Sequence, residues 1–383
     1  MWLNDLVISF LTSCNSLMYK AAKGAADALI RRIAQTLPSW QRYTIEQSFP
    51  VRKPYQPTPP ANQAMISAEV AGRFAAPVHF HSHHIYRLRN MHVTWDGAVF
   101  NNLRLFVPSV VQAHFASRFQ DTLLLRQWVG EKVELHGTCV AVCHDQWSVE
   151  NYYHWLVDTL PKLLVLRVLH SNILLLLPQP MSPKEMPDYI SRSAAALGFT
   201  NYLPLNARQI LCADCVVLPE LTADSLTQNP ELIRQVRAEL IAALSPNPVL
   251  ATRKVYAARA AHGVRTIVNE AEVDVLLQEF GFEKVYFEDF TFLEQIRLMR
   301  ETGFFLGVHG AGMTNMLFLQ EDAKVIELLN ETYGDLCYFR LASCLGLPYF
   351  CAPCTGISQE LANQSNMVID IALLRELVMA GLS

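Results

Sequence analysis

Residues 151–158, Asn-Tyr-Tyr-His-Trp-Leu-Val-Asp, set a polar stripe on a helix. His154 and Asp158 stand at i and i+4, and Asn151 lies three residues before His154, so all three share one face. Tyr152, Trp155 and Leu160 surround the stripe. Burial among them tunes the acidity of an imidazole and a carboxylate, as proton transfer requires. A hydrogen-bonded core network is the other reading. A second constellation, His309-Gly310-Ala311-Gly312-Met313-Thr314-Asn315, lies between an apolar strand and a helix. Its glycines allow a ligand to approach the backbone, and a helix start attracts phosphate. Thr314 and Asn315 are expected to add hydrogen bonds. Arg259, His262 and Arg265 fall in the loop leaving the first strand of the same half. Two guanidiniums at the carboxyl end of a parallel strand suit a diphosphate. Glu327, near the end of the strand after the glycine turn, is expected to accept from sugar hydroxyls.

The glycine turn departs from a dinucleotide fingerprint. Asn315 stands where the third glycine belongs, and the turn follows the third strand of its half, not the first. An NAD(P)-linked oxidoreductase is therefore the weaker reading, and a catalytically inactive carbohydrate-binding or scaffold protein is the non-enzyme alternative. His79, His81 and His83 alternate on an expected strand with His84 following, but no carboxylate or cysteine nearby completes a metal site. Cys212-x-x-Cys215 and Cys351-x-x-Cys354 have zinc-like spacing, yet the pairs lie far apart in the chain and the first opens a strand. No metal and no cofactor are expected.

Elements that would position these residues follow from the patterning. Residues 1–37 read as a basic amphipathic helix that can lie on anionic lipid. Pro50 to Pro60 is a linker or an extended crossing segment. From 75 to 145 short alternating runs predict strands, with turns at Asp96-Gly97 and His136-Gly137. Helices are expected over 151–169 and 183–197, and strands over 173–177 and 209–218. After residue 253 strand and helix alternate without interruption, which calls for a parallel sheet covered on both faces. Asn269 with Glu272, and Thr291 with Glu294, read as capping boxes, and residues 312–320 as a helix. The resulting division is an N-terminal helical segment over 1–50, an α/β domain over 51–245 and a Rossmann-like domain over 246–383. The last helix is expected to pack back on the first domain.

The 383 residues are 51% hydrophobic and 17% charged, with a net charge of −4. That balance excludes disorder and gives no electrostatic footprint for nucleic acid. No stretch reaches the ~18 apolar residues of a membrane span. Nine cysteines in so long a chain are read as reduced, mostly buried thiols of a cytoplasmic protein, at most attached to a membrane surface.

Asn151-x-x-His154-x-x-x-Asp158 with Leu160-Pro161, the arginine loop before Asn269-Glu270, and the His309 to Asn315 turn followed by Val325-Ile326-Glu327 come in one order over about residues 140–355. Together they resemble glycosyltransferase family 61. That family includes bacterial proteins of capsular polysaccharide synthesis, plant cell-wall transferases and animal protein-linked N-acetylglucosaminyltransferases. The resemblance implies two Rossmann-like halves facing a cleft, a GT-B-like α/β fold, with the nucleotide on the C-terminal half. It also implies inverting, metal-independent transfer from a nucleoside diphosphate sugar, UDP-linked, to a glycan or glycolipid hydroxyl. Without a secretory signal, the expectation is a bacterial, capsular-polysaccharide-type enzyme. Met313 stands where the family usually has leucine. Asp158 is the expected base with His154 orienting it, and the reverse assignment remains open.

Overall fold

The computed structural model describes residues 43–101, 104–111, 130–181, 184–224, 226–259, 264–332, 335–358, 360–361 and 364–383. The helix expected over 1–37, and His262, lie outside the described residues. The rest is a mixed α/β chain built on two sheets.

The first sheet holds β1 (Tyr43–Phe49), β2 (His83–Thr94), β3 (Val99–Asn101), β4 (Arg104–Leu105), β5 (Glu131–Ala141), β6 (Leu174–Gln179), β7 (Tyr202–Asn206) and β8 (Gln209–Pro219). Their order is β4-β3-β2-β8-β5-β6-β7, with β1 also paired to β2. Strands β8, β5, β6 and β7 are mutually parallel, whereas β2 joins β8 antiparallel and carries β1 and β3 antiparallel. The expected Rossmann-like first half is thus parallel only in part. Its antiparallel half follows from a tight turn, in which Gly97 takes φ +84° between β2 and β3. His136-Gly137, by contrast, does not reverse the chain. Gly137 at φ +69° sits in a register shift inside the continuous strand β5, a bulge in place of the expected turn.

The second sheet runs β10 (Glu283–Val285), β9 (Arg253–Ala257), β11 (Thr302–Val308), β12 (Lys324–Asn330), β13 (Tyr349–Gly356) and β14 (Met367–Val368), all parallel except β14. Phe304, Phe305, Leu306 and Val308 are buried in succession, as a strand covered on both faces demands. The helix Phe292–Arg300 opens on the expected Thr291/Glu294 capping box. The Asn269/Glu272 pair forms no such box. The Asn269 side chain instead exchanges hydrogen bonds with the Ile369 backbone, tying the start of helix Glu270–Glu279 to the chain after β14. The closing helix Ile371–Leu382 buries Leu374, Leu377 and Val378 in the cluster of Val273, Leu276 and Phe304. It therefore stays with its own sheet and does not return to the first domain, because its apolar face meets the helix Glu270–Glu279.

One apolar cluster crosses between the halves, joining Trp155, Leu160 and Leu163 to Phe292, Phe318 and Phe339. Helix Pro230–Leu244 lies in this seam and contacts the helix Cys337–Leu345 and the 311–318 segment. The proline-rich stretch is the crossing segment: Tyr55 bridges Val78, while Ala61 N–H donates to Tyr349 O and the Asn62 side chain donates to Cys351 O.

Cys139 and Cys215 face one another across β5 and β8 with Cα atoms 4.6 Å apart and form a disulfide, which corrects the expectation of reduced thiols throughout. Periodicity hides this pairing, since only the register of two strands far apart in sequence brings the sulfurs together.

Candidate active site

In the second sheet β9 is flanked by β10 on one side and β11 on the other, so the connections reverse direction between β9 and β11. Ligands of open parallel sheets bind beyond the carboxyl ends of strands at such a reversal. A cavity of about 420 Å³ occupies that place, lined by Ala258 and Arg259 after β9, Gly310 and Gly312 after β11, Asn315 and Tyr152.

Side chains crowd two glycines of the turn. A Cβ on Gly310 would overlap Arg259 Nη1, and one on Gly312 would meet Phe287 at 3.0 Å. Arg259 lies against the turn and donates to the His309 carbonyl at 2.9 Å. Burial first, and the neighbouring Arg265 charge second, lower the pKa of Arg259. Arg265 takes φ +62°, and its buried Nε has no hydrogen-bond partner. Among the described residues neither arginine makes an ion pair. Two guanidiniums this near one another, with Glu288 the carboxylate that acts on Arg259, are chemically suited to an anion.

The segment after the turn is a 3-10 helix, Ala311–Phe318. Thr314 and Asn315 within it are fully buried. Asn315 lines the cavity, yet its amide is already engaged: Oδ1 accepts from Tyr152 Oη at 2.7 Å and Nδ2 donates to Gln295 at 3.0 Å. It joins the helix that begins at Tyr152 to the glycine turn. Met313 fills the space left open at Gly307.

Both carboxylate oxygens of Glu327 are engaged by protein groups. It is buried within β12, with Oε1 2.5 Å from His309 Nδ1 and Oε2 accepting from Tyr349 Oη at 2.7 Å. Its expected role as a sugar acceptor is corrected to that of a carboxylate fixing His309. Periodicity places Glu327 near a strand end, but β12 continues to Asn330 and encloses it. Among the described residues one trio, His309, Asp335 and Cys337, brings single donor atoms within 4.8 Å of one another.

In the first half, Asn151 caps the helix by accepting from Tyr153 N–H at 3.0 Å and is exposed, so it stands apart from the stripe. The helix then opens into a π-turn over Trp155–Thr159 before regular helix resumes at Leu160–Leu169. Such turns recur at functional sites, where they re-aim side chains. Here the π-turn holds His154 Nδ1 2.7 Å from Asp158 Oδ2. Burial raises the Asp158 pKa, against the lowering effect of the His154 hydrogen bond. The His154 ring packs on Trp147, centroids 4.8 Å apart, and on Tyr153. Tyr153 in turn meets Tyr338, which packs on His309, so an aromatic chain links the dyad to the glycine turn.

Sequence reasoning missed Asp145 and Lys162. They form a buried ion pair at 3.0 Å, with Asp145 also accepting from Trp147 and Ser148. Burial alone would raise the Asp145 carboxyl; Lys162 outweighs it and holds the pKa below the usual range. The available signal was a lysine one turn beyond Asp158, set among Leu160, Leu163 and Leu164. His83 stacks on Phe49, His84 contacts Ser48 and His81 pairs with Asp224, so the histidine run forms no shared metal face.

Residues 152–326 match the Glycosyltransferase 61 family model. The match begins at the dyad helix and ends in β12, and so includes both halves of the site. Relatives named EGF domain-specific O-linked N-acetylglucosamine transferase align over shorter stretches. The chimpanzee (Pan troglodytes) protein is 37% identical over 90 residues, 22% of this chain and 17% of its own length. The Bos taurus protein is 38% identical over 91 residues and that of Drosophila melanogaster 34% over 88, with the same shares of each chain. The alignments thus span less than a fifth of those relatives' length.

Proposed function

We propose, from the premise that residues 152–326 form a glycosyltransferase 61 domain, that the chain transfers a sugar from a uridine diphosphate donor to a hydroxyl acceptor with inversion. The observation that carries this reading is the cavity at the β9/β11 reversal, where Arg259 lies against the glycine turn with the Arg265 charge near it, and neither makes an ion pair among the described residues. A diphosphate seated there would have its charge balanced by two guanidiniums and by the N–H groups opening the segment Ala311–Phe318. Metal independence is part of the proposal, supported by these cations and by the lack of an Asp-x-Asp pair in the second half of the sequence. A GT-B-like arrangement, with donor on the second sheet and acceptor on the first, accords with the dyad helix bordering the donor cavity through Tyr152.

The chemistry is one displacement. The acceptor oxygen forms a bond to the anomeric carbon as the bond to the diphosphate breaks, and the acceptor proton passes to a base. The geometry favours His154 in that role over Asp158. Asp158 keeps 6% side-chain exposure against 11% for His154, and its Oδ2 is engaged by Nδ1. With the carboxylate accepting from Nδ1–H, the lone pair is left on Nε2, and Asp158 steadies the imidazolium that forms. The relatives' name specifies an EGF-domain acceptor. The disulfide counts against a reducing compartment.

Calorimetric titration tests the donor site. UDP should bind the wild type without added metal, Arg259→Ala and Arg265→Ala should each weaken it by about 1.5–3 kcal/mol, and NADPH should not bind. UDP release from a UDP-sugar panel should survive EDTA. Wild-type affinity in both variants, or activity abolished by EDTA and restored by manganese, would overturn the assignment.

A further inference from the structure

The first sheet contains its own reversal. From β5 the chain moves outward to β6 and β7, then returns to place β8 on the other side of β5, all four strands parallel. The rule that locates the donor cavity in the second sheet therefore predicts a crevice beyond the carboxyl ends of β5 and β8. A cavity of about 440 Å³ lies there, walled by Val142, His144 and Asp145 after β5, by Pro219 at the end of β8 and by the stretch from Glu220 to Asp224 after it.

Its lining differs in kind from that of the donor cavity. The one lysine present, Lys162, is already paired with Asp145, and Glu220 and Asp224 add negative charge, so nothing invites a phosphate. Glu220 is itself occupied by His84 N–H and Tyr86 Oη. Two lining imidazoles are not fully engaged. His144, 3% exposed, places Nε2 2.8 Å from the Trp95 carbonyl, so the ring proton resides there and the Nδ1 lone pair has no partner. His83 likewise leaves Nε2 unpartnered. Burial lowers both pKa values, that of His83 to about 4, so both rings are neutral. Val107, Val110, Val142 and Leu218 supply apolar wall. Apolar wall with neutral hydrogen-bonding groups, at a volume of a few hundred Å³, suits a sugar ring, which offers C–H faces and hydroxyl donors together.

The cavity also adjoins the chemistry. Asp145 and Lys162 belong to its wall, Lys162 follows Asp158 by one turn of the same helix, and Trp147, two residues after Asp145, carries the His154 ring. The dyad helix thus reaches both cavities, through Lys162 at the crevice and through Tyr152 at the glycine turn.

We propose that this crevice is the acceptor subsite and that it takes a neutral saccharide. The inference rests on the transferase reading above and names its acceptor class.

Saturation-transfer-difference NMR on the full chain with saturating UDP tests it, using the methyl glycosides of glucose, galactose, mannose, xylose and N-acetylglucosamine as probes. At least one should receive saturation from the wild type. Ala223→Trp and Ser82→Trp, which fill the crevice from different walls, should each reduce that signal at least tenfold while the UDP dissociation constant stays within twofold. No glycoside signal in the wild type, or a signal that survives both tryptophans, overturns the proposal. So does binding of an unglycosylated serine or threonine peptide at the same tryptophan-sensitive place in the absence of any glycoside signal. UDP binding is read separately in every sample, so a failure of the donor reading is distinguishable from a failure of the acceptor one.

Discussion

His154 and Asp158 illustrate how one hydrogen bond allots two roles. The carboxylate that accepts from Nδ1 is the less exposed partner, so under the proposed transfer the imidazole is the group that would meet an acceptor hydroxyl. His154→Ala should therefore lower turnover by ~10²–10⁴, the usual loss for a general base. Asp158→Asn should cost a similar factor by withdrawing the charge behind the imidazolium. The double variant should be little worse than either, because the two act as a unit. Initial rates of UDP release, with UDP affinity as the control for folding, check all three. A slow Asp158→Asn beside an active His154→Ala would return the proton to the carboxylate. Lys162 and Asp145 carry a stability prediction. Lys162→Met leaves a buried carboxylate unpaired and should destabilise by about 3–5 kcal/mol at pH 7. The sign of its pH dependence follows from the lowered folded pKa of Asp145. In the wild type this carboxylate contributes stability above the ordinary Asp value of about 3.9 and loses it as pH falls through the lower folded value. In Lys162→Met burial raises the folded pKa, so the deficit relative to wild type should shrink toward acid. Urea unfolding at pH 7 and near pH 4 measures both; a constant deficit would mean the pair is not coupled.

The elements that hold these residues were legible to different depths. The strand–turn–helix rhythm after Arg253 could be read because buried parallel strands appear as unbroken apolar runs, and the glycine turn lay where that rhythm put it. The first half was less legible because its parallel order is set by long-range pairing: β8 returns beside β5 only after β6 and β7 have been laid down. Within the dyad helix the i, i+4 spacing was visible, but the π-turn through Trp155–Thr159 was not, since regular helix and π-turn share the same residue preferences. Glu327 was misread because the sequence shows a strand but not the depth at which it lies, nor its partners His309 and Tyr349. Gly310→Ala puts a methyl group where the Arg259 guanidinium lies. Gly310 itself has an extended φ of 160°, open to any residue, so the backbone should tolerate alanine. The variant should keep its unfolding midpoint and lose UDP affinity by about 1.5–3 kcal/mol, the scale of a hydrogen bond to a charged group. Unchanged affinity in a folded Gly310→Ala would place the phosphate elsewhere.

The molecule as a whole departs from two lobes separated by an open linker. The seam between the sheets contains Trp155 and Phe292, both about 1% exposed, within one apolar cluster, and side chains of this size stabilise by ~1.5–3 kcal/mol each when fully buried. Polar ties add to the seam: Tyr152 to Asn315, Tyr55 to Ser343 and Asn62 to the Cys351 backbone. A seam so constructed keeps the dyad helix in register with the glycine turn, as the proposed in-line displacement would require, because a base misplaced by an ångström costs about 10²-fold in rate. It also couples the stabilities of the halves, since neither can unfold without exposing the other's share of the cluster. The chain should therefore unfold in a single calorimetric transition, with tryptophan fluorescence and far-ultraviolet dichroism sharing one midpoint. The Cys139–Cys215 bond lies inside the first sheet, closing a sequence separation of 76 residues. Its reduction should lower stability by about 2–4 kcal/mol, chiefly by releasing the unfolded chain. Because the halves share a core, that loss should move the whole transition downward. If reductant instead splits the trace, with residues 253–383 melting where the oxidised protein did, the seam does not couple the two sheets.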